Sequence, residues 1–242
     1  MALSSRKHIA LLFVAALVIL FSLGAVYFLR SGSFTIQNIV VQGVKLSSEN
    51  DFLKLSGDVL GQNLFLFDQE ILKNKITLHP LVRDVQFQQK LPHTLIIVIT
   101  ERTPIALVTA SGAVLEVDAE GTFLRRLESW PKTDYPVITG VELKNAVGPG
   151  QNLVDPSLMS ALALLKQAPP GLTAQTGELN VNAYQQMTLY LMSGVEVRLG
   201  QNREWKTKLD ALYQLISAAD YQSFEKEVRY IDFTAAKPVI GR

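Results

Sequence analysis

Residues Ile9 to Leu29 read IALLFVAALVILFSLGAVYFL, a run with neither a charge nor a proline. A helix that crosses a bilayer needs roughly 20 mostly apolar residues, and this run is long enough. No polar residue recurs at helical spacing to give it a solvent-facing side, so it does not suit the interior of a soluble protein. The apolar core of a signal peptide is usually about 7–15 residues and is followed by a small-residue cleavage site. This run is longer, and Ser22-Leu23-Gly24 is followed by further apolar residues and Arg30. The expectation is an uncleaved transmembrane helix over residues 9–29. Arg6 and Lys7 precede it and only Arg30 follows closely. Basic residues favour the cytoplasmic side, so residues 1–8 are expected to be a short cytoplasmic stub and residues 30–242 to lie across the membrane.

The chain carries 23 basic and 22 acidic residues; setting aside Arg6, Lys7 and Arg30 leaves 20 basic against 22 acidic beyond the helix, a net of −2. A nucleic-acid binder normally shows a basic excess, so nucleic acid is not an expected partner. The sequence has no cysteine, which removes disulfides, iron–sulfur clusters and thiolate catalysis.

Residues 31–105 read as one unit. Phe34 to Val41 forms an apolar strand closed by Gly43. Ser48 and Asp51 have capping-box spacing ahead of a short helix expected to carry Phe52, Leu53 and Leu55 inward. Asp68 is the candidate N-cap of a second helix over about 69–77, with Leu72 and Ile76 one turn apart. Val85-Gln86-Phe87-Gln88 alternates as a half-buried strand, and Leu91-Pro92-His93-Thr94 turns the chain. Leu95 to Ile99 is continuously apolar, which suits a central strand. The order β-α-α-β-β makes a compact α+β unit.

Residues 106–233 read as a second unit, mainly antiparallel and β-rich, with two helices. Ile105–Thr109 and Val114–Val117 flank a Ser111-Gly112 turn. Tyr135-Pro136-Val137-Ile138-Thr139-Gly140 follows a loop holding Trp130 and Pro131. Asp155 and Pro156 fit the N-cap and first turn of a helix lined by Leu158, Leu162 and Leu165. Val195 to Gly200 alternates strictly, and a helix over about 203–218 turns Trp205, Leu209, Leu212 and Ile216 inward. The last clear strand is Val228 to Phe233, and residues 234–242 are a tail.

No catalytic constellation emerges. His8, His79 and His93 lack a second ligand at metal-binding spacing, and His79 reads as a helix-end residue satisfying a carbonyl. Phosphate-binding glycine loops and a G-x-S-x-G elbow are absent from the sequence. Glu116, Asp118 and Glu120 form a close acidic set, read here as a solvated hairpin face rather than a cation site; Arg125-Arg126 reads as a surface pair. Trp130 and Trp205 read as packing residues. The expectation is a non-enzymatic interaction protein without a cofactor or metal. A strand near a chain terminus makes a natural sheet edge, whose unpaired N–H and C=O groups another chain can complete. That points to residues 228–233, with a proline at Ile231 as the substitution that removes a ladder donor.

The combination FTIQNIVVQGV, NLFLFD and HPLVRDVQFQQKLPHTLIIVITERTPIAL resembles a POTRA domain that follows a membrane anchor. The elements Leu81, Val82, Val85, then Lys90-Leu91-Pro92, Thr94, Leu95, Ile97, Ile99, Glu101, Arg102, Pro104 and Ala106 resemble the bacterial cell-division family FtsQ, called DivIB in Gram-positive species. PVITG and the V-x-L-G, helix, Ile231-Asp232-Phe233 succession are similar to that family's β-domain. The resemblance implies a single-pass inner-membrane protein with its N-terminus in the cytoplasm, found at the septum, that scaffolds the divisome. It implies FtsB/FtsL-type partners, the FtsB-type chain adding a strand at the C-terminal edge, and further division proteins at the POTRA domain. Carried over, the edge falls on Arg229, Tyr230, Ile231, Asp232 and Phe233, and the tail contacts on Thr234, Ala235, Ala236 and Val239. Many members carry a basic residue and an aromatic where Thr234 and Ala235 stand, so side-chain contacts there differ. A POTRA-containing secretion or outer-membrane assembly factor is the alternative; the alternating ten-residue strands of a membrane barrel are missing from the sequence.

Overall fold

The computed structural model describes residues 2–110, 112–130, 135–143, 148–201, 204–235 and 237–242. It divides into two compact units, residues 1–101 and 102–242.

The first unit opens with α1 (Ala2–Leu29). Its window Leu12–Leu29 is long and apolar enough to cross a membrane, and none of it is buried within the protein. A single 3-10 turn over Gly32–Phe34 follows, with Ser31 accepting the N–H of Ser33. The sequence suggested a strand from Phe34, but β1 is Asn38–Gln42. Phe34 to Ile36 instead pairs with the loop at residues 61–64: Leu64 donates to the Phe34 carbonyl (2.7 Å) and Ile36 to that of Gln62 (2.8 Å). Helices α2 (Glu49–Leu55) and α3 (Gln69–Thr77) come next. Asp68 caps α3 by accepting from the N–H groups of Glu70 and Ile71, as its type and position dictate. Ser48 stands at the N-cap of α2 but makes no side-chain cap bond.

Strands β2 (Val82–Lys90) and β3 (Thr94–Glu101) complete a sheet of order β1-β3-β2, with β3 central, parallel to β1 and antiparallel to β2. Leu95, Ile97 and Ile99 point into the core with Phe52, Leu72 and Ile76, while Ile96 and Val98 are only half-buried on the other face. His79 satisfies a helix-end carbonyl as expected, its main-chain N–H donating to Ile76 (3.0 Å), while its ring nitrogen accepts from the Leu81 N–H (3.3 Å) and its ring packs edge-on against Phe52.

At the far end of β3 the Glu101 carboxylate gathers the N–H groups of Lys45, Leu46 and Ser47 (2.8, 2.8 and 2.9 Å) and the Ser47 hydroxyl. Partial burial pushes its pKa up, but the Ser47 hydroxyl and the three amides outweigh this and hold it below the ordinary value.

In the second unit, β4 (Pro104–Ala110), β5 (Ala113–Asp118) and β6 (Phe123–Leu127) form a meander. Then come β7 (Val137–Thr139), α4 (Pro156–Gln167), α5 (Pro170–Thr173), β8 (Thr176–Val181), β9 (Met187–Leu191) and β10 (Glu196–Gly200). The chain closes with α6 (Trp205–Ser217), α7 (Ala219–Phe224), β11 (Tyr230–Asp232) and β12 (Val239–Gly241). Among the described residues these strands form one sheet, β12-β11-β10-β9-β8-β7-β4-β5-β6. Most pairings are antiparallel, as expected. Parallel steps join β4 to β7, β7 to β8 and β10 to β11, the last two bridged by α4–α5 and α6–α7. Parallel neighbours require crossovers; the two expected helices, α4 and α6, form the main part of these, each followed by a short helix, α5 or α7. Asp155 caps α4 by accepting from Leu158 (2.9 Å), with Pro156 in its first turn. Leu158, Leu162, Trp205, Leu209, Leu212 and Ile216 pack on the sheet. Trp205 is thus a core residue, whereas Trp130 is exposed.

One device appears in both units. Gly43 follows β1 and Gly140 follows β7, each leaving a strand with φ near +80° (+87° and +77°). A Cβ on Gly43 would run into the carbonyl oxygen of Ile99 on the parallel neighbour β3, and one on Gly140 into that of Val181 on β8. Only glycine allows both the turn and the close approach. Gly43→Ala and Gly140→Ala are each expected to cost at least about 1–3 kcal/mol, read as a lowered denaturation midpoint of the unit concerned. Glu101 contributes to the pH dependence of the first unit, alongside Asp84, whose pKa is lowered chiefly by its bond from Lys73. The folded pKa of Glu101 lies below the unfolded value of about 4.5, so its contribution is complete above that pH and disappears as pH falls through the folded pKa. Glu101→Gln is expected to lower the melting temperature at neutral pH and flatten its fall on the acid side, measured by thermal denaturation across pH 2–6.

Candidate partner-binding edge

The sheet of the second unit ends at β6 on one side and at β12 on the other. The expected edge, residues 228–233, is therefore corrected: β11 is internal, held between β10 in parallel and β12 in antiparallel register. Tyr230 pairs with Gly241, Ile231 with Ile240 and Asp232 with Val239. A three-residue strand shows no alternation that could distinguish it from a tail. The signal available was Pro238 ahead of the β-branched pair Val239-Ile240.

The direction of the main-chain groups follows from the bonds at the ends of β11. Glu196 donates to the Arg229 carbonyl (3.0 Å) and Phe233 donates to the Arg198 carbonyl (2.8 Å). By alternation, Ile231 turns its main-chain groups toward β10, while Tyr230 and Asp232 turn theirs toward β12. Ile240, opposite Ile231, is then the residue of β12 whose N–H and C=O face away from the sheet. Proline at Ile231 would break the internal ladder to β10 rather than probe a free edge.

The expected site residues separate by burial. Ile231 and Phe233 belong to the core. Arg229, Thr234, Ala235 and Val239 are exposed, Tyr230 and Asp232 are half-buried, and Ala236 lies outside the described residues. Tyr230 is sandwiched on its strand neighbours. The Arg198 guanidinium lies 4.6 Å from its ring centroid, and the ring covers Gly241, where a Cβ would collide with it. Arg198 also donates to Glu196 (2.7 Å), and this bond raises its pKa. Asp232 accepts from the N–H and hydroxyl of Thr234 (2.7 and 2.6 Å), shaping the turn that leaves β11. The Thr234 hydroxyl is the main reason its pKa is lowered, with slight burial opposing and Arg198 and Lys208 assisting. Arg242 closes β12 by reaching Glu227 (3.2 Å) and covering the Phe224 ring at 4.8 Å.

The acidic set of the hairpin behaves differently from its reading as a solvated face. Glu116 and Asp118 are buried. Glu116 holds Arg125 in a two-point pair, which raises the arginine's pKa. Asp118 accepts from Arg102 (2.7 Å) and from the N–H groups of Glu120 and Thr122 (3.0 and 2.7 Å). Glu120 faces Lys166 at 3.9 Å. The carboxylates are thus matched by the chain's own cations, and among the described residues no cluster suited to a metal occurs.

Asp232→Ala removes the acceptor that shapes the turn. It is expected to accelerate amide exchange across residues 239–241 severalfold while leaving β8 and β9 unchanged, as read by hydrogen–deuterium exchange.

Comparison with known proteins places this geometry in a family. The model for the FtsQ-type POTRA domain matches residues 34–102, and the model for the C-terminal part of cell division protein FtsQ/DivIB matches residues 105–233. The second match stops short of β12. A cell division protein FtsQ from Anaeromyxobacter sp. (strain K) is 31% identical over 206 residues, covering 84% of this chain and 69% of its own. One from Myxococcus fulvus is 27% identical over 212 residues, covering 84% and 72%. The extracytoplasmic domain of DivIB from Geobacillus stearothermophilus matches 53% of this chain and 98% of its own at 17% identity and a TM-score of 0.34, too loose a superposition for comparing positions. An apolar N-terminal helix, a POTRA domain of order β-α-α-β-β and a β-rich domain with crossover helices together identify the chain as a member of the FtsQ/DivIB family of cell division proteins.

Proposed function

We propose that this chain is a non-enzymatic scaffold of the divisome, held in the inner membrane by α1 with its N-terminus in the cytoplasm, and located at the septum. In this reading it binds an FtsB/FtsL-type partner by strand addition to β12, and meets other division proteins through the POTRA domain. The supporting observation is the outward-facing main chain of Ile240 on a terminal strand whose own side chains, Val239 and Ile240, are exposed. Such an edge offers a donor and an acceptor to a second strand, and the apolar side chains beside them reward its arrival. Arg198, Tyr230 and Asp232 on the adjoining strands supply charge and an aromatic face next to the edge. Family membership and the acidic residues' internal ion pairing both favour this reading over a cell-wall enzyme.

The test is Ile240→Pro, which removes the outward donor without touching the bonds between β11 and β12. The variant is expected to fold, as judged by circular dichroism and melting temperature. It should lose at least about tenfold in affinity for a purified FtsB/FtsL-type complex, and, as the sole copy in its host, leave long cells without septa. A folded variant with unchanged affinity and normal septation would overturn the proposal.

A further inference from the structure

The geometry points to a second membrane contact: the loop Leu60–Leu66 of the POTRA domain is seated in the interfacial layer of the bilayer that α1 crosses. This rests on α1 being the membrane anchor. Asn63 donates its side-chain amide to the carbonyls of Leu29 (2.9 Å) and Ser31 (3.2 Å). Leu29 is the last residue of α1, and its carbonyl is among those left unpaired at a helix end. An edge-to-face chain of rings, Phe28–Phe34 at 5.3 Å and Phe34–Phe65 at 5.1 Å, joins the same two segments. The loop is therefore bonded directly to the point where the apolar span ends. Headgroups occupy about 5–8 Å on each side of the hydrocarbon, from the difference between core and full bilayer thickness. A loop bonded to Leu29 lies within that layer.

The loop's composition suits the location. From Val59 to Phe67 there is no charged residue. Leu60 and Leu66, three residues to either side of Asn63, are 49% and 57% exposed. In water these would be costly apolar surfaces. At the boundary between headgroups and acyl chains they are favourable, as in amphipathic interfacial segments. Tyr27 and Phe28 sit where interfacial aromatics are enriched, and Arg30 follows them as a cation for lipid phosphate. The turn after β2 lies at the same end, because the His93 carbonyl accepts from Gln37 (2.9 Å) and its ring nitrogen meets the Thr35 carbonyl (3.1 Å). It presents exposed Leu91 beside Lys90.

Exposure alone does not single out this end, since Leu78 is 81% exposed. Leu78 leads into β2, whose first residue, Val82, pairs with Glu101 at the opposite end of β3 from Thr94. That is roughly 23 Å away along the strand. Leu78 is the built-in control.

The absence of cysteine permits single-cysteine labelling of the full chain in vesicles of phosphatidylethanolamine and phosphatidylglycerol. Spin labels at Leu60→Cys, Leu66→Cys, Leu78→Cys and Leu20→Cys would be compared by accessibility to oxygen and to a water-soluble nickel complex. The expected oxygen-to-nickel ratio at positions 60 and 66 is severalfold above that at 78 and below that at 20. Ratios at 60 and 66 equal to that at 78, with position 20 in lipid, would overturn this inference while leaving the anchor standing. A water-like ratio at position 20 would overturn both.

Discussion

Two consecutive residues of opposite charge, Glu101 and Arg102, each organise a turn within their own unit. Glu101 ends the first unit and neutralises three amides and a hydroxyl of the loop between β1 and α2. Arg102 opens the second unit and donates to buried Asp118 (2.7 Å) and to the Thr122 hydroxyl (3.0 Å), which in turn donates to Asn152 (3.0 Å). A buried carboxylate such as Asp118 is tolerable only when paired and hydrogen-bonded. Arg102 thus satisfies the carboxylate that organises the turn between β5 and β6. Each unit then has its own core, built on its own sheet.

The second unit is built so that its C-terminal part can carry an edge. Parallel pairing of β10 and β11 requires α6 and α7 to cross the sheet, and their apolar residues anchor β11 firmly through Ile231 and Phe233. That anchoring is what lets a strand as short as β12 add to it. β12 is held by a few backbone bonds, by the ring of Tyr230 over Gly241 and by Arg242 on Phe224 and Glu227. A short, lightly held terminal strand with exposed Val239 and Ile240 is suited to receiving a partner strand, and its shortness limits unwanted self-pairing.

Much of this fold was legible in the sequence because it rests on local rules. The uncharged span to Leu29, the Asp68 and Asp155 caps, the inward faces of the α4 and α6 helices and the apolar β3 all follow from periodicity and capping chemistry. The elements that escaped depend on distant partners. Phe34 to Ile36 has β composition but pairs with residues 61–64 beside the helix end instead of joining the sheet. Glu116 and Asp118 look solvated in a hairpin until Arg125 and Arg102 arrive from elsewhere in the chain. Residues 239–241 form a strand only because β11 is already in place. The expected edge therefore missed by one strand: residues 228–233 lie inside the sheet, and β12 is its outermost strand at that end.

The most direct measurement is residue-resolved hydrogen–deuterium exchange on the full chain with and without an FtsB/FtsL-type complex. Strand addition predicts that the Ile240 amide, which by alternation faces away from β11, becomes strongly protected, while β6 at the opposite edge exchanges at an unchanged rate. Protection confined to β6 or to the POTRA domain, with Ile240 unaffected, would contradict the account.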